Sequence, residues 1–216
     1  MTLPPDLAQL HADLERNAAD ARGLIAGLSE QDAAWRPSSA AWSVAECLDH
    51  LAVADRVYLD ALRPAAGRAR AQGRWRRGPA RPGVVGGWFV RVLEPPVRPR
   101  FKVRAPRSIV PRTAPSLADA AAAFFTAHDE VGVFLRRSAD LDLARVRFRN
   151  PFMAWVRFSL ATGLHVIAAH ERRHLWQARR VLDALRSERP ATPEGVDPRV
   201  ATRGGVDGAS SRAQAV

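Results

Sequence analysis

His170 and His174 stand four residues apart in a stretch whose apolar residues repeat with a helical period. Their imidazoles therefore project from one face, about one turn apart. Two neutral rings so placed can chelate one divalent ion, whereas two protonated rings repel. Both border the apolar stripe marked by Ile167 and Ala178, and a buried polar group without a partner costs roughly 1–3 kcal/mol. A metal removes the repulsion and the missing partner together. Core sites in helical bundles take their remaining ligands from a facing helix. His50 is the best-placed residue for that role, three residues after Cys47 and four before Ala54 on the buried side of an earlier helix. Three neutral imidazoles with positions left open for water fit zinc, and also nickel or ferrous iron. Such an ion makes a water or a thiol nucleophilic near neutral pH.

The stretch from His170 to His174 also spells H-E-x-x-H, the zinc-protease helix in which the glutamate activates water. The longer form of that motif needs Gly at 177 and His at 180, where this chain has Gln177 and Arg180. A downstream glutamate ligand is also missing, since only Glu188 and Glu194 remain, at or in the tail. A protease is therefore set aside. Glu171 is the nearest candidate base, but on a helix it points about 100° from His170, which favours a role behind the ligands or in a surface ion pair. Arg172 and Arg173 read as solvated face residues. His165 falls off the His170 face, and His11 and His128 show no partner. Cys47, one turn from His50, reads as a small buried hydrophobe.

Four helical stretches must position these groups. The first runs from about Asp6 to Leu28, with Leu7, Leu10, Leu14 and Ala18 in phase. The second opens on the capping-box pattern Ser43-Val44-Ala45-Glu46, carries His50, and is expected to stop at Pro64. The third opens at Pro115-Ser116 and runs through Phe124, His128 and Leu135. The fourth extends from about Ser159 to Arg186. A short apolar helix is expected near Val84–Leu93, and Arg145–Phe148 alternates like a strand before Asn150-Pro151 breaks it. The fold class expected is all-α, a four-helix bundle over residues 1–187 with a basic insert at 63–114. A disordered tail is expected over 188–216, where large apolar groups are scarce.

The net charge of +11 over 216 residues is concentrated in one segment. Residues 63–112 hold 14 basic side chains and one acid, Glu94, leaving 19 basic and 21 acidic side chains elsewhere. Any affinity for nucleic acid or an anionic membrane surface therefore belongs to that insert, around Arg74, Trp75, Arg76, Arg77 and Arg81, with Val84–Val90 able to lie on a membrane surface. A solvated loop whose Trp88, Phe89 and Leu93 cap the bundle is the plainer reading. The amino-terminal residues lack a basic start followed by an apolar block, and one cysteine makes no internal disulfide, so a cytoplasmic location is expected.

The order Trp42-Ser43-Val44-Ala45-Glu46-Cys47-Leu48-Asp49-His50-Leu51, then His170-Glu171-Arg172-Arg173-His174-Leu175-Trp176-Gln177, resembles the DinB-like (DinB/YfiT) superfamily over roughly residues 5–186. Phe101-Lys102-Val103-Arg104-Ala105-Pro106 and the Asn150-Pro151-Phe152 turn are similar to one of its subgroups. The resemblance implies a four-helix bundle with up-down-down-up connectivity, commonly dimeric. It also implies a metal triad of one His on the second helix and an H-x-x-x-H pair on the fourth. By position these are His50, His170 and His174, the set chosen from spacing. Members resemble metal-dependent hydrolases or S-transferases acting with small thiols such as bacillithiol or mycothiol. Other members have no known activity, which leaves room for a non-enzymatic stress-response or binding module with a structural metal. The Arg-rich insert departs from the family pattern, so no substrate carries over.

Overall fold

A computed structural model describes residues 2–96, 109–153 and 155–189. The Phe101–Pro106 stretch and the tail from residue 190 onward lie outside the described residues. The fold is all-α with one small hairpin: α1 (Pro5–Ile25), α2 (Glu30–Ala34), α3 (Val44–Ala71), α4 (Val84–Leu93), α5 (Leu117–Arg137), β1 (Arg147–Arg149), β2 (Arg157–Ser159) and α6 (Leu160–Glu188). No helix of the described residues is long and apolar enough to cross a membrane.

The long helices α1, α3, α5 and α6 form two apolar cores. One gathers Leu7, Leu10 and Leu14 of α1, Leu59 and Leu62 of α3, Val131 and Leu135 of α5, and Leu164 and Ile167 of α6. The other gathers Leu24 of α1, Cys47, Leu48 and Leu51 of α3, Phe124 of α5, and Leu175, Val181 and Leu182 of α6. Reading residue numbers across the two, α1 and α6 run from the first core to the second, and α3 and α5 run back.

Helix starts follow the polar caps written in the chain. Ser43 accepts from the Glu46 amide at 3.2 Å, while the Glu46 carboxylate accepts from the Ser43 amide at 2.9 Å. Ser116 and Ser159 cap α5 and α6 in the simpler one-way form.

Several boundaries differ from expectation. Pro64 does not end its helix, which continues seven residues to Ala71. Pro64 is exposed, so the Asp60 carbonyl left without an amide faces water, while Leu62, Ala65, Ala66 and Ala69 stay buried in phase. The basic insert therefore begins after α3, and Arg63, Arg68 and Arg70 are helical residues. The first helix stops at Ile25, before Gly27 turns the chain at φ 71°. Helix α2 was not anticipated: five residues are too few to show a period, although Ser29 caps it through the Asp32 amide. At the other end α6 runs two residues past Arg186, to Glu188.

The hairpin pairs Arg147 with Ser159, Phe148 with Phe158 and Arg149 with Arg157 in antiparallel register, with both phenylalanines buried. Its first strand spans Arg147–Arg149 rather than 145–148. Helix α4 forms over the expected residues and lies on α6, seated by Gly86: a Cβ there would collide with the Thr162 side chain. Phe89 packs on Phe158 with ring centroids 5.3 Å apart. At its far end Arg172 Nε donates to Glu94 at 2.9 Å and Arg173 donates to the Val92 carbonyl at 3.4 Å. These two arginines clamp α4 to α6 rather than standing free in solvent.

Candidate metal centre

His50, His170 and His174 come together beside the second core, with one ligand atom from each lying within 4.8 Å of the others. The ring centroids are 5.0 Å apart for His50–His170, 4.4 Å for His50–His174 and 4.6 Å for His170–His174. Trp42 closes one side, its ring 4.7 Å from His50 and 5.6 Å from His174. The capping box at Ser43 fixes the chain where Trp42 enters α3.

His50 is oriented from behind. Its Nδ1 lies 2.6 Å from the Ile109 carbonyl, and a carbonyl only accepts, so Nδ1 carries the proton and Nε2 keeps a bare lone pair. That lone pair faces His170 Nε2 at 3.3 Å. Nitrogens sharing a tetrahedral zinc at about 2.0–2.1 Å stand ~3.4 Å apart. The segment bearing Ile109 is tied down by Asp49, next to His50. Its buried carboxylate accepts from the Arg112 amide and from Arg112 Nε, both at 2.7 Å. Neither Asp49 nor Ile109 was singled out in the sequence; a carboxylate beside His50 was the available signal.

The electrostatics keep all three rings neutral. Burial pulls His50 below its ordinary value, although the Ile109 carbonyl and Asp49 oppose it. Burial, the neighbouring His50 and Arg173 take His170 to about 3. Burial, then His170, His50 and Arg173, take His174 well below the usual range, outweighing the Gln177 side chain, which acts to raise it. His174 Nδ1 is buried with no hydrogen-bond partner among the described residues. Neutral rings, a bare Nε2 and an orphaned buried nitrogen are what a soft-to-borderline divalent cation takes up, so this donor set can hold a metal ion.

Glu171 points elsewhere. It is fully buried and joins a polar layer between the two cores, built from one residue of each long helix: Asn17, Asp55, His128 and Glu171. Asn17 Nδ2 donates to Glu171 Oε2 at 2.8 Å and to the Ala168 carbonyl at 2.9 Å. His128 Nδ1 donates to Glu171 Oε1 at 2.9 Å. Burial pulls His128 down, but the hydrogen bond and charge of Glu171 outweigh it and raise the ring. Burial and then Glu171 hold Asp55 well above the usual carboxylate range, and its Oδ2 finds no donor. An acid form of Asp55 that donates to Glu171 fits both observations. The surface ion pair considered for Glu171 is thereby replaced by a core network. Each member stands on an otherwise apolar stripe (Asn17 after Leu14, Asp55 after Leu51, His128 after Phe124), which was the signal available in the sequence.

The remaining residues singled out are dispersed. Cys47 is buried in the second core, where burial pushes its thiol up and keeps it protonated. His11 Nε2 accepts from Arg136 at 2.8 Å. Arg76 is turned inward onto Asp6, 2.6 Å away, while Arg74, Arg77 and Arg81 are exposed. Arg70 pairs with Asp140 at 2.6 Å and stacks over Trp75, so part of the basic segment is neutralised within the fold.

An all-α protein with a three-histidine centre between facing helices is the class defined so far. The DinB superfamily family model matches residues 13–178, and the chain belongs to that superfamily. Neither a curated protein nor a solved structure matches it.

Proposed function

We propose that the chain is a metal-dependent enzyme that binds one divalent ion, zinc in the first instance, through His50, His170 and His174. Its reaction is proposed to be hydrolysis or the transfer of a small thiol. The observation that carries this reading is the convergence of three neutral imidazoles, one held by Ile109 with Nε2 bare and one with a buried, unpartnered Nδ1. Structural zinc sites are usually closed by four protein ligands, whereas catalytic sites use three and keep a position open. The metal would supply Lewis acidity, making a water or a thiol nucleophilic near neutral pH. The chain's own residues do the positioning. Ile109 fixes the His50 tautomer, Asp49 fixes Ile109, and Trp42 shields one flank. Glu171, bound by Asn17 and His128, holds the α6 backbone beside the ligands rather than a proton of the substrate.

The test pairs stability with turnover. Chelator-treated protein is expected to stay helical and melt cooperatively, while losing hydrolysis of activated esters or addition of a small thiol to an electrophile, with recovery on adding zinc. Unfolding on chelation would instead mark a structural metal.

A further inference from the structure

The side of the molecule bearing α4 and the hairpin carries unsatisfied surface that the metal centre does not use. Arg149 and Arg157 are direct cross-strand partners, and Arg147 lies on the same exposed face two residues away. Like charges directly opposite one another destabilise a strand pair. None of the three guanidiniums reaches a carboxylate among the described residues. At the hairpin turn Trp155 is 85% exposed. The hairpin's Phe158 packs on Phe89, so α4 is its neighbour. The inner face of α4 is buried through Gly86 and Phe89, yet its outer face is also apolar. Val84, Val85 and Trp88 are 93%, 70% and 55% exposed, with exposed Arg81 and Arg91 at either end.

Apolar side chains and an indole bracketed by arginines form the pattern of a helix lying in a bilayer interface. Charge selects the occupant. A second copy of this face would bring arginines against arginines. The chain's own 97–108 segment carries Arg98, Arg100, Lys102, Arg104 and Arg107 without an acid, so it is repelled too. Nucleic acid would satisfy the arginines but would gain nothing from solvent-facing Val84 and Val85. We propose that the outer face of α4 and the arginine face of the hairpin dock peripherally on an anionic lipid bilayer. The guanidiniums take lipid phosphates, and Val85, Trp88 and Trp155 enter the headgroup boundary.

The test is co-sedimentation of the full chain with vesicles of phosphatidylcholine alone or mixed equally with phosphatidylglycerol, at low salt and at about 0.15 M. The wild type is expected to partition onto the anionic vesicles and to weaken with salt. R147Q/R149Q/R157Q is expected to lower partitioning by about a hundredfold, each basic residue being worth roughly fivefold. V85S/W88S and W155S are expected to weaken it at both salt concentrations. W155S alters the most exposed aromatic and leaves the core intact, so it reports docking even where a multiple variant melts early. Zinc binding should be unchanged in every variant, which separates failure here from failure of the metal-centre reading. Equal partitioning onto neutral vesicles, full retention by the triple-arginine variant, or retention of duplex DNA without vesicle binding would each overturn the proposal.

Discussion

Two clusters of polar side chains meet inside the same bundle and treat their lone pairs in opposite ways. In the layer of Asn17, Asp55, His128 and Glu171, each long helix contributes one group and the charges compensate internally. Glu171 receives hydrogen bonds from two sides, His128 is raised by it, and burial with Glu171 holds Asp55 well above the usual carboxylate range. Beside it, His50, His170 and His174 converge with no acid among them, and His174 Nδ1 is buried there without a hydrogen-bond partner among the described residues. Burial drives the first cluster to bond around Glu171 and drives the second to shed protons. The first cross-links the cores; the second could hold a cation. Consecutive residues 170 and 171 serve the two roles because adjacent side chains diverge by about 100° around the helix.

The sharpest way to break this contrast is to remove Glu171. Glu171→Ala leaves Asn17, Asp55 and His128 without their common acceptor, and urea unfolding is expected to show a loss of about 3–5 kcal/mol. A loss below about 1 kcal/mol would mean that the layer does not link the cores. His174→Leu is the counterpart. It removes an orphaned nitrogen and keeps an apolar body of similar size, so metal-free stability should stay within about 1 kcal/mol. Zinc affinity measured by calorimetry should nevertheless drop more than about a hundredfold.

A smaller effect separates ligands from the groups behind them. Asp49→Asn frees the Arg112 segment and with it the Ile109 carbonyl, so zinc affinity is expected to fall about 10–100-fold while one ion still binds. Loss of all binding in this variant would make Asp49 more than a positioning residue.

The response to pH has opposite signs in the two clusters. The three clustered histidines titrate below their unfolded values. Their contribution is complete above about pH 6.5 and is lost as pH falls toward the folded values, by up to about 1.4 kcal/mol per unit per ring. Asp55 and His128 are raised. Their contribution is present at low pH and is lost as pH rises, from about 3.8 upward for Asp55 and above about 6.5 for His128. Metal-free wild type should therefore lose stability between pH 6.5 and 5, and His170→Leu should flatten that slope. An unchanged slope in the variant would place the acid sensitivity elsewhere.

The three-histidine cluster was legible in the sequence because most of it is local. The 170/174 spacing is a property of one helix, and the capping box at Ser43 sets the phase that buries His50. The family motif orders the same three residues. The polar layer was not legible. Asn17, Asp55, His128 and Glu171 lie on four helices, and their meeting depends on the relative axial positions of those helices, which no single stripe encodes. Pro64 misled for a related reason. Its local rule holds for a buried turn, and the packing around it left that turn on the outside. The Arg149–Arg157 pairing required a register that only the folded hairpin supplies.

The most direct test of the central assignment is zinc titration by calorimetry, with elemental analysis, on the wild type and on H50Q/H170Q/H174Q. One zinc per chain in the wild type and none in the triple variant is the expected result. Equal zinc content and affinity in both would contradict it.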